Sequence, residues 1–504
     1  MMKKIVSIVL LACLLCGLFA GCKAEKQANS ATDIEVIYWE TGYGRAWLDN
    51  IIKAFNESQD QYHATLVSSA ENRLGEVSRG DATGDLYIGS GNTLNSWAVE
   101  YLHPLDDVLN SKPDGESGLT VREKFNGFAE NNTHPNGKVY AMPSGVFGGI
   151  NGIFYNANMM VDADGNPYKM PNTTDELVDL CLSLYSDGVT PIIHYADYWY
   201  YVYEAWIMQY DGIQSIYDLW NGVYVDEDGV RHENDVRCIT ESKGRYEAYK
   251  VLEDLLAPKG YTYTNCNSFN HTTGQTYFLA GYAAMTPNGS WIENEMGGGD
   301  AAKNVKVMKQ PVLSAVAKKL GIRSDKHLSL IVDYVDGTEL SESEMAVVNS
   351  YSEEVIEAVR EDRSIYYGSH PDHVVIPNYS NCIDGAEELL KFIWSDKGLE
   401  IASNTVGAPN GLKRSNEAEI DTSNWSPFMK EVSEIRKSAT VISAYINAPI
   451  YYMSGVDHIQ INHPVKSMTY RTDGGILNTE QFWAKEVAAW EKQWPQMMID
   501  AGLQ

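Results

Sequence analysis

The stretch IEVIYWETGYGRAWLDNIIKAF, residues 34–55, decides the fold class. Its opening, IEVIYW, is apolar and β-prone and is bounded by Asp33 and Gly42, which predicts a strand over 34–39. From Arg45 onward, Trp47, Leu48, Ile51, Ile52 and Phe55 recur at helical spacing, so one face of a helix follows. The alternation continues with a strand near residues 62–68 and another over 85–88 (DLYI), ending in Gly89-Ser90-Gly91-Asn92. Strands that alternate with helices imply a parallel α/β sheet. In such sheets ligands sit in the loops at the carboxyl ends of the strands, here residues 40–45 and 89–92. Gly42-Tyr43-Gly44 resembles the start of a dinucleotide fingerprint, but Trp47 stands where its third glycine belongs. No nucleotide or other cofactor is expected.

The chain begins with Lys3 and Lys4, then an apolar segment from Ile5 to Ala20, shorter than the ~20 residues a spanning helix needs. The small pair Ala20-Gly21 precedes Cys22. This pattern resembles a bacterial lipobox, with Phe19 where Leu is commoner. On that reading residues 1–21 are a lipoprotein signal peptide and Cys22 carries the lipid. The alternative is an ordinary signal peptide that contains a cysteine. Residues 23–31 (KAEKQANSA) are polar and small and cannot bury enough surface to fold. Residues 22–32 therefore read as a tether holding a globular body at the extracellular face of a bacterial cell membrane.

No later run approaches spanning length. The net charge of −29 becomes more negative once Lys3 and Lys4 are removed. Such a field argues against nucleic acid and against docking on anionic lipid. Of the seven cysteines, Cys181, Cys238, Cys266 and Cys382 remain beyond the leader, widely spaced and without a CxxC. They read as buried thiols, with pairing outside the cell left open. Tyr and Trp number 32 and 12 against only 11 Phe, and those two residues offer a flat apolar face with a polar handle. Sugars present axial C–H patches to such faces and hydroxyls to such handles, although most aromatics serve as core.

Asp164-Gly165 and Asp228-Gly229 predict surface hairpin turns. Residues 162–166 (DADGN) lack the sixth-position glycine and twelfth-position glutamate of a calcium loop. His370 and His373, in HPDH, have no evident third ligand and read as a loop, so no metal site is expected. Residues 342–362 and 480–499 predict packing helices.

Several motifs in order then resemble one family. They are DLYI at 85–88, LHPLDD at 102–107, GKVYAMP at 137–143, FYN at 154–156 and PNTTDEL at 171–177. FLAGYAAM at 278–285 closes on Asn288-Gly289-Ser290-Trp291, and AEELLKFIWSDKG at 386–398 precedes Gly407-Ala408-Pro409. Together they resemble the extracellular solute-binding proteins of carbohydrate ABC importers, the maltose-binding-like class. The resemblance implies a two-lobed α/β fold of the periplasmic-binding-protein type, type II-like, with a cleft between lobes joined by hinge crossings. It divides the chain into a first lobe of 33–143 plus 375–409 and a second of 144–374 plus 410–504, with an insertion at 314–373. Crossings are expected near Pro143, near Val375-Ile376 and near Ala408-Pro409. The implied partners are a carbohydrate ligand and ABC permease subunits, engaged by a monomer.

By the same resemblance the first strand loop contributes Trp39, Glu40, Tyr43 and Arg45 to ligand. Ser90 and Asn92 follow the next strand and can bond hydroxyls. In HYADYWYYVYEAW (194–206) a helix starting near Asp197 puts Trp199 and Tyr200 in its first turn, where the family has a stacking aromatic. Residues 199, 202 and 206 share one helical face, so part of this run is core. An Asn-Gly turn after the AAM strand places Trp291 at a loop edge, with Asn288 either on ligand or holding that turn. The expected function is capture of a sugar, an oligosaccharide by preference, without chemistry. The alternatives are a secreted glycoside-acting enzyme with two carboxylates across a cleft, or the same fold binding a peptide or other polar solute. Neither a GxSxG nor an HExxH motif is present.

Overall fold

The computed structural model describes residues 31–504 apart from 91–95, 114, 127–128, 130–131, 135, 299–301, 369–371, 417–419, 444–447, 453 and 455–458. Cys22 and Asn92 lie outside the described residues. The fold is mixed α/β and two-lobed. The described strands are β1 (Thr32–Trp39), β2 (Tyr62–Ser69), β3 (Leu86–Gly89), β4 (Met142–Pro143), β5 (Asn151–Asn156) and β6 (Val223–Val225). β7 (Arg231–Glu233), β8 (Met285–Gly289), β9 (Val305–Val307), β10 (Ile365–Tyr367), β11 (His373–Val375) and β12 (Thr440–Ile442) complete the set.

The first lobe is built on a sheet of order β2-β1-β3-β11-β4. β1 runs parallel to β2 and β3, whereas β11 enters antiparallel between β3 and β4. The helix Ala46–Ser58 buries Trp47, Leu48, Ile51, Ile52 and Phe55 against this sheet. Each such side chain contributes about 1.5–3 kcal/mol when fully buried. Pro143 ends β4, an edge position where the missing N–H costs no ladder bond. The second lobe centres on the antiparallel sheet β8-β5-β9, with β10 and β12 paired beside it. Its core gathers the helices Thr174–Ser186, Tyr200–Asp211 and Lys243–Leu256. The C-terminal helix Thr479–Asp500 is capped by Asn478 and buries Phe482, Trp490 and Trp494.

The chain passes from β4 to β5 through residues 144–150. This segment lies beside residues 408–411, with the Gly148 N–H donating to the Pro409 carbonyl and Phe147 bridging Asn410. A third passage links β10 to β11. β11 sits in the first sheet from His373 to Val375, so the expected Val375-Ile376 lies at its end in that sheet. Residues 413–416 stay with the first lobe. Ser415 and Asn416 N–H groups donate to Asp396, which also pairs with buried Lys124 at 2.6 Å.

Several local expectations shift. Residues 342–362 form two helices, Glu342–Val348 and Glu353–Ser364, the second starting after Ser352. Residues 386–398 span two helices, Ile383–Ile393 and Asp396–Val406, because the Ser395 hydroxyl accepts from the Gly398 N–H and opens the second. Within residues 137–143, Met142–Pro143 forms β4. Asp228-Gly229 turns the β6–β7 hairpin, and Asp162 accepts the N–H groups of Asp164 and Asn166 in a plain turn. All four described cysteines are free thiols. Among the described residues no helix is long and apolar enough to cross a membrane, and no three His, Cys, Asp or Glu residues cluster as a metal site.

Candidate functional site

The carboxyl end of β1 brings residues 40–45 to the face of the first lobe that meets the second. The contact is close. A Cβ added at Gly42 would lie 2.7 Å from Cδ1 of Trp291, so only glycine admits the indole at this distance. Tyr43 lays its ring on Phe147 of the 144–150 passage, with centroids 4.3 Å apart. Its hydroxyl is 3.3 Å from Ser290 Oγ, which in turn accepts the Ile150 N–H. Gly149 completes this junction, because a Cβ there would meet Ser290 Oγ at 2.3 Å and the Tyr43 hydroxyl at 2.8 Å. Burial raises the Tyr43 phenol above its ordinary pKa, so Tyr43 acts as a neutral hydroxyl.

On the second lobe, Trp291 is half-buried and stands at the start of the short helix Ile292–Glu295. Two tyrosines present their rings edge-on to it, Tyr201 at 5.7 Å and Tyr198 at 6.2 Å. His271 stacks beyond Tyr198 at 6.5 Å. Edge-to-face rings fix one another's tilt. The result is an aromatic wall on one lobe opposite a polar strand-end loop on the other.

The remaining expected residues fall in different places. Trp39, half-buried, ends β1 beside this loop. Glu40 is exposed and accepts from Ser68 Oγ at 2.9 Å. Arg45 is exposed too, and both its Nε and Nη2 donate to Asp49 at 2.8 Å, so its guanidinium turns back along its own helix. Ser90 follows β3, and its carbonyl accepts from the Asn72 side chain. Asn288 is 1% exposed and lies within β8 rather than in a turn. Its carbonyl oxygen accepts from the Gly289 N–H at 2.8 Å and from Gln275 at 3.4 Å, so it supports the wall from behind.

Trp199 is core: it is 1% exposed and packs with Val202 and Trp206. A 3-10 turn, Ala196–Trp199, precedes the helix Tyr200–Asp211 and rotates the run. Tyr200 rests against Tyr201 at 4.1 Å and Tyr367 at 5.9 Å. The members that reach Trp291 are therefore Tyr198 and Tyr201. Their three-residue spacing, off the 199/202/206 face, is a signal that the sequence carries.

Two further groups were not anticipated. Arg436 donates from Nη1 to the Gly149 carbonyl at 3.1 Å, and burial lowers its pKa. Asp372 accepts from the Thr41 hydroxyl at 3.1 Å, and burial pushes its carboxyl up to about 7. Neither belongs to a motif that sequence alone ties to ligand.

No protein-family model matches the sequence, and no curated protein does. Solved structures match in fold. A chitin oligosaccharide binding protein aligns over 92% of this chain and 99% of its own, with a TM-score of 0.58 at 15% identity. The GacH receptor of Streptomyces glaucescens, solved unliganded and with acarbose, covers 92% and 99% at a TM-score of 0.57 and 15% identity. The raffinose complex of the receptor RafE covers 92% and 100% at 0.54 and 16% identity. The fold is thus that of two-lobed sugar-binding receptors of the maltose-binding type.

Proposed function

We propose that this protein is a solute receptor that holds a neutral sugar, an oligosaccharide by preference, between its lobes and delivers it to the permease subunits of an ABC transporter. The observation that carries the reading is the aromatic cluster of Trp291, Tyr198 and Tyr201 on one lobe, which meets the 40–45 loop of the other at Gly42, beside the Tyr43–Ser290 hydroxyl contact. Aromatic faces supply a broad attraction to sugar C–H patches. The polar loop selects among sugars, because a buried polar group left unpaired costs about 1–3 kcal/mol. The neighbours of known fold are named for chitin oligosaccharide, acarbose and raffinose binding, which fits the same ligand class. Cys22, ahead of its polar leader-to-body segment, is the lipid anchor on this reading and puts the receptor at the outer face of the cell membrane.

A thermal-shift screen against mono- and oligosaccharides tests the ligand class, since ligand that binds the native state raises the melting temperature. A shift with one sugar class and none with amino acids or peptides supports the reading; the reverse pattern overturns it. For the anchor, labelled palmitate should incorporate into the wild-type protein and not into Cys22→Ala.

A further inference from the structure

A second group of aromatic rings lies at the far end of β8 from Trp291. It belongs to residues 260–292, which contain no Asp, Glu, Lys or Arg in a chain of which 21% is charged. Within that segment the helix His271–Leu279 closes at Gly281, whose φ is 79°. The Gly281 N–H donates to the Phe278 carbonyl and the Tyr282 N–H to the Tyr277 carbonyl, the double bond of a left-handed helix stop. This closure lays Tyr282 beside Tyr277, with ring centroids 5.1 Å apart. Tyr263 meets the same two rings at 5.5 and 5.6 Å, and Phe269 lies 5.3 Å from Tyr277. Tyr282 is 52% exposed and the other three are half-buried. β8 is five residues long, roughly 16 Å, with Tyr282 before it and Trp291 after it. The face therefore stands apart from the junction at Gly42.

Its chemistry narrows the occupant. With no cationic side chain in the segment, an anionic polymer or lipid headgroup finds no partner, and the net charge of −29 repels both. Four rings of about 150–250 Å² each, three of them half-buried, fall short of the ~800 Å² that a stable protein interface takes from each partner. A neutral sugar chain asks for less: an open ring to stack on, and hydroxyls or amides beside it. Among the described residues the hydroxyls of Tyr263, Tyr277 and Tyr282 bond no protein group. Thr264, Asn270 and Thr276, each next in sequence to a ring of the group, are exposed. We propose that this face is a second carbohydrate site, which holds a dissolved neutral polysaccharide against the outside of the second lobe with the Tyr282 ring stacked on a sugar. It acts separately from capture between the lobes.

Native electrophoresis of the full protein through gels containing pullulan, laminarin, galactomannan or arabinoxylan tests this, with polygalacturonate as the anionic control. The proteins are wild type, Tyr282→Ala, Tyr282→Gln and Trp291→Ala. At least one neutral polymer should retard wild type and Trp291→Ala alike, with polygalacturonate retarding neither. Both Tyr282 variants should bind that polymer about fivefold more weakly or worse, at wild-type melting temperature because the ring is exposed. Wild-type retardation in the Tyr282 variants, or no retardation by any neutral polymer, overturns the assignment. So does retardation lost in Trp291→Ala, which puts the polymer between the lobes, or equal retardation by polygalacturonate. Melting temperatures that fall in both Tyr282 variants along with binding make the ring a fold support and overturn it too. Calorimetry with oligosaccharides separates this face from the cleft. Polymer binding without any oligosaccharide binding removes the inter-lobe reading and leaves this one standing.

Discussion

The two walls of the cleft were built under different rules. On the first lobe, residues 40–45 follow a parallel strand, and topology alone puts them at the carboxyl edge of the sheet, where open α/β sheets take ligand. On the second lobe, the aromatic run 194–206 is dense enough that every member looks eligible, and the helix phase decides which ones pack against Trp291. The structure sends Trp199 inward with Val202 and Trp206, and turns Tyr198 and Tyr201 to Trp291. Position in a strand-end loop is thus set by chain order, whereas position on an aromatic helix is set by a short 3-10 turn at its start.

Substitutions can break this contrast, and the largest effect belongs to the core. Trp199→Ala should cost about 3–5 kcal/mol of stability, read as a lower ligand-free melting temperature, because it empties a packed site. A Trp199→Ala protein with wild-type stability and lost sugar binding would return that residue to the cleft.

Second comes pH. Burial raises Glu204 and Asp372 to about 7 and Asp362 to about 8. A carboxyl whose folded pKa lies above its unfolded value makes the native state bind the extra proton, so its contribution falls as pH rises from about 4 to the folded value. His194 and His373 are lowered by burial to about 3 and about 4. Those two act oppositely and add stability as pH rises to about 6.5. The two sets offset one another below 6.5, and above it only the carboxyl loss remains. Ligand-free stability should therefore fall by on the order of 2 kcal/mol between pH 6.5 and 8. A flat or rising melting temperature over that window contradicts the assignment.

Trp291→Ala follows, with binding weakened by about 2 kcal/mol, or some thirtyfold, and a smaller loss of fold stability than Trp199→Ala. Gly42→Ala should weaken binding by about 1 kcal/mol, since the new methyl presses on the Trp291 indole and holds the walls apart. Affinity at the wild-type level in Gly42→Ala would mean that the walls do not need this approach. The smallest effect belongs to Arg45→Ala. Its exposed pair with Asp49 should be worth less than about 1 kcal/mol of stability, and binding should stay within a few-fold of wild type by calorimetry.

Much of the fold is legible from one strand, one loop and one helix. In IEVIYW, Ile34, Val36 and Tyr38 are buried on one face and Ile37 on the other, and the helix after it buries the residues its spacing named. The two-lobed arrangement comes from motif order, because no local pattern tells a chain to leave one sheet and return through β11. The sequence singles out Tyr43 and Trp291 from their places after strands, and both lie at the junction between the lobes. It misplaces Asn288, because β8 continues through an Asn-Gly pair that elsewhere makes a turn. It passes over Asp372, because nothing in HPDH announces that its carboxyl will be sealed under Thr41. Long-range packing supplies that information, and local propensity does not.

The most direct test of the central claim is calorimetric titration of the protein and of Trp291→Ala with the sugar that gives the strongest thermal shift. Saturable binding by the wild type, with a negative heat-capacity change and a Kd about thirtyfold weaker in the variant, is the result predicted. Equal affinity in the two proteins would contradict the inter-lobe aromatic cleft as the place where ligand is held.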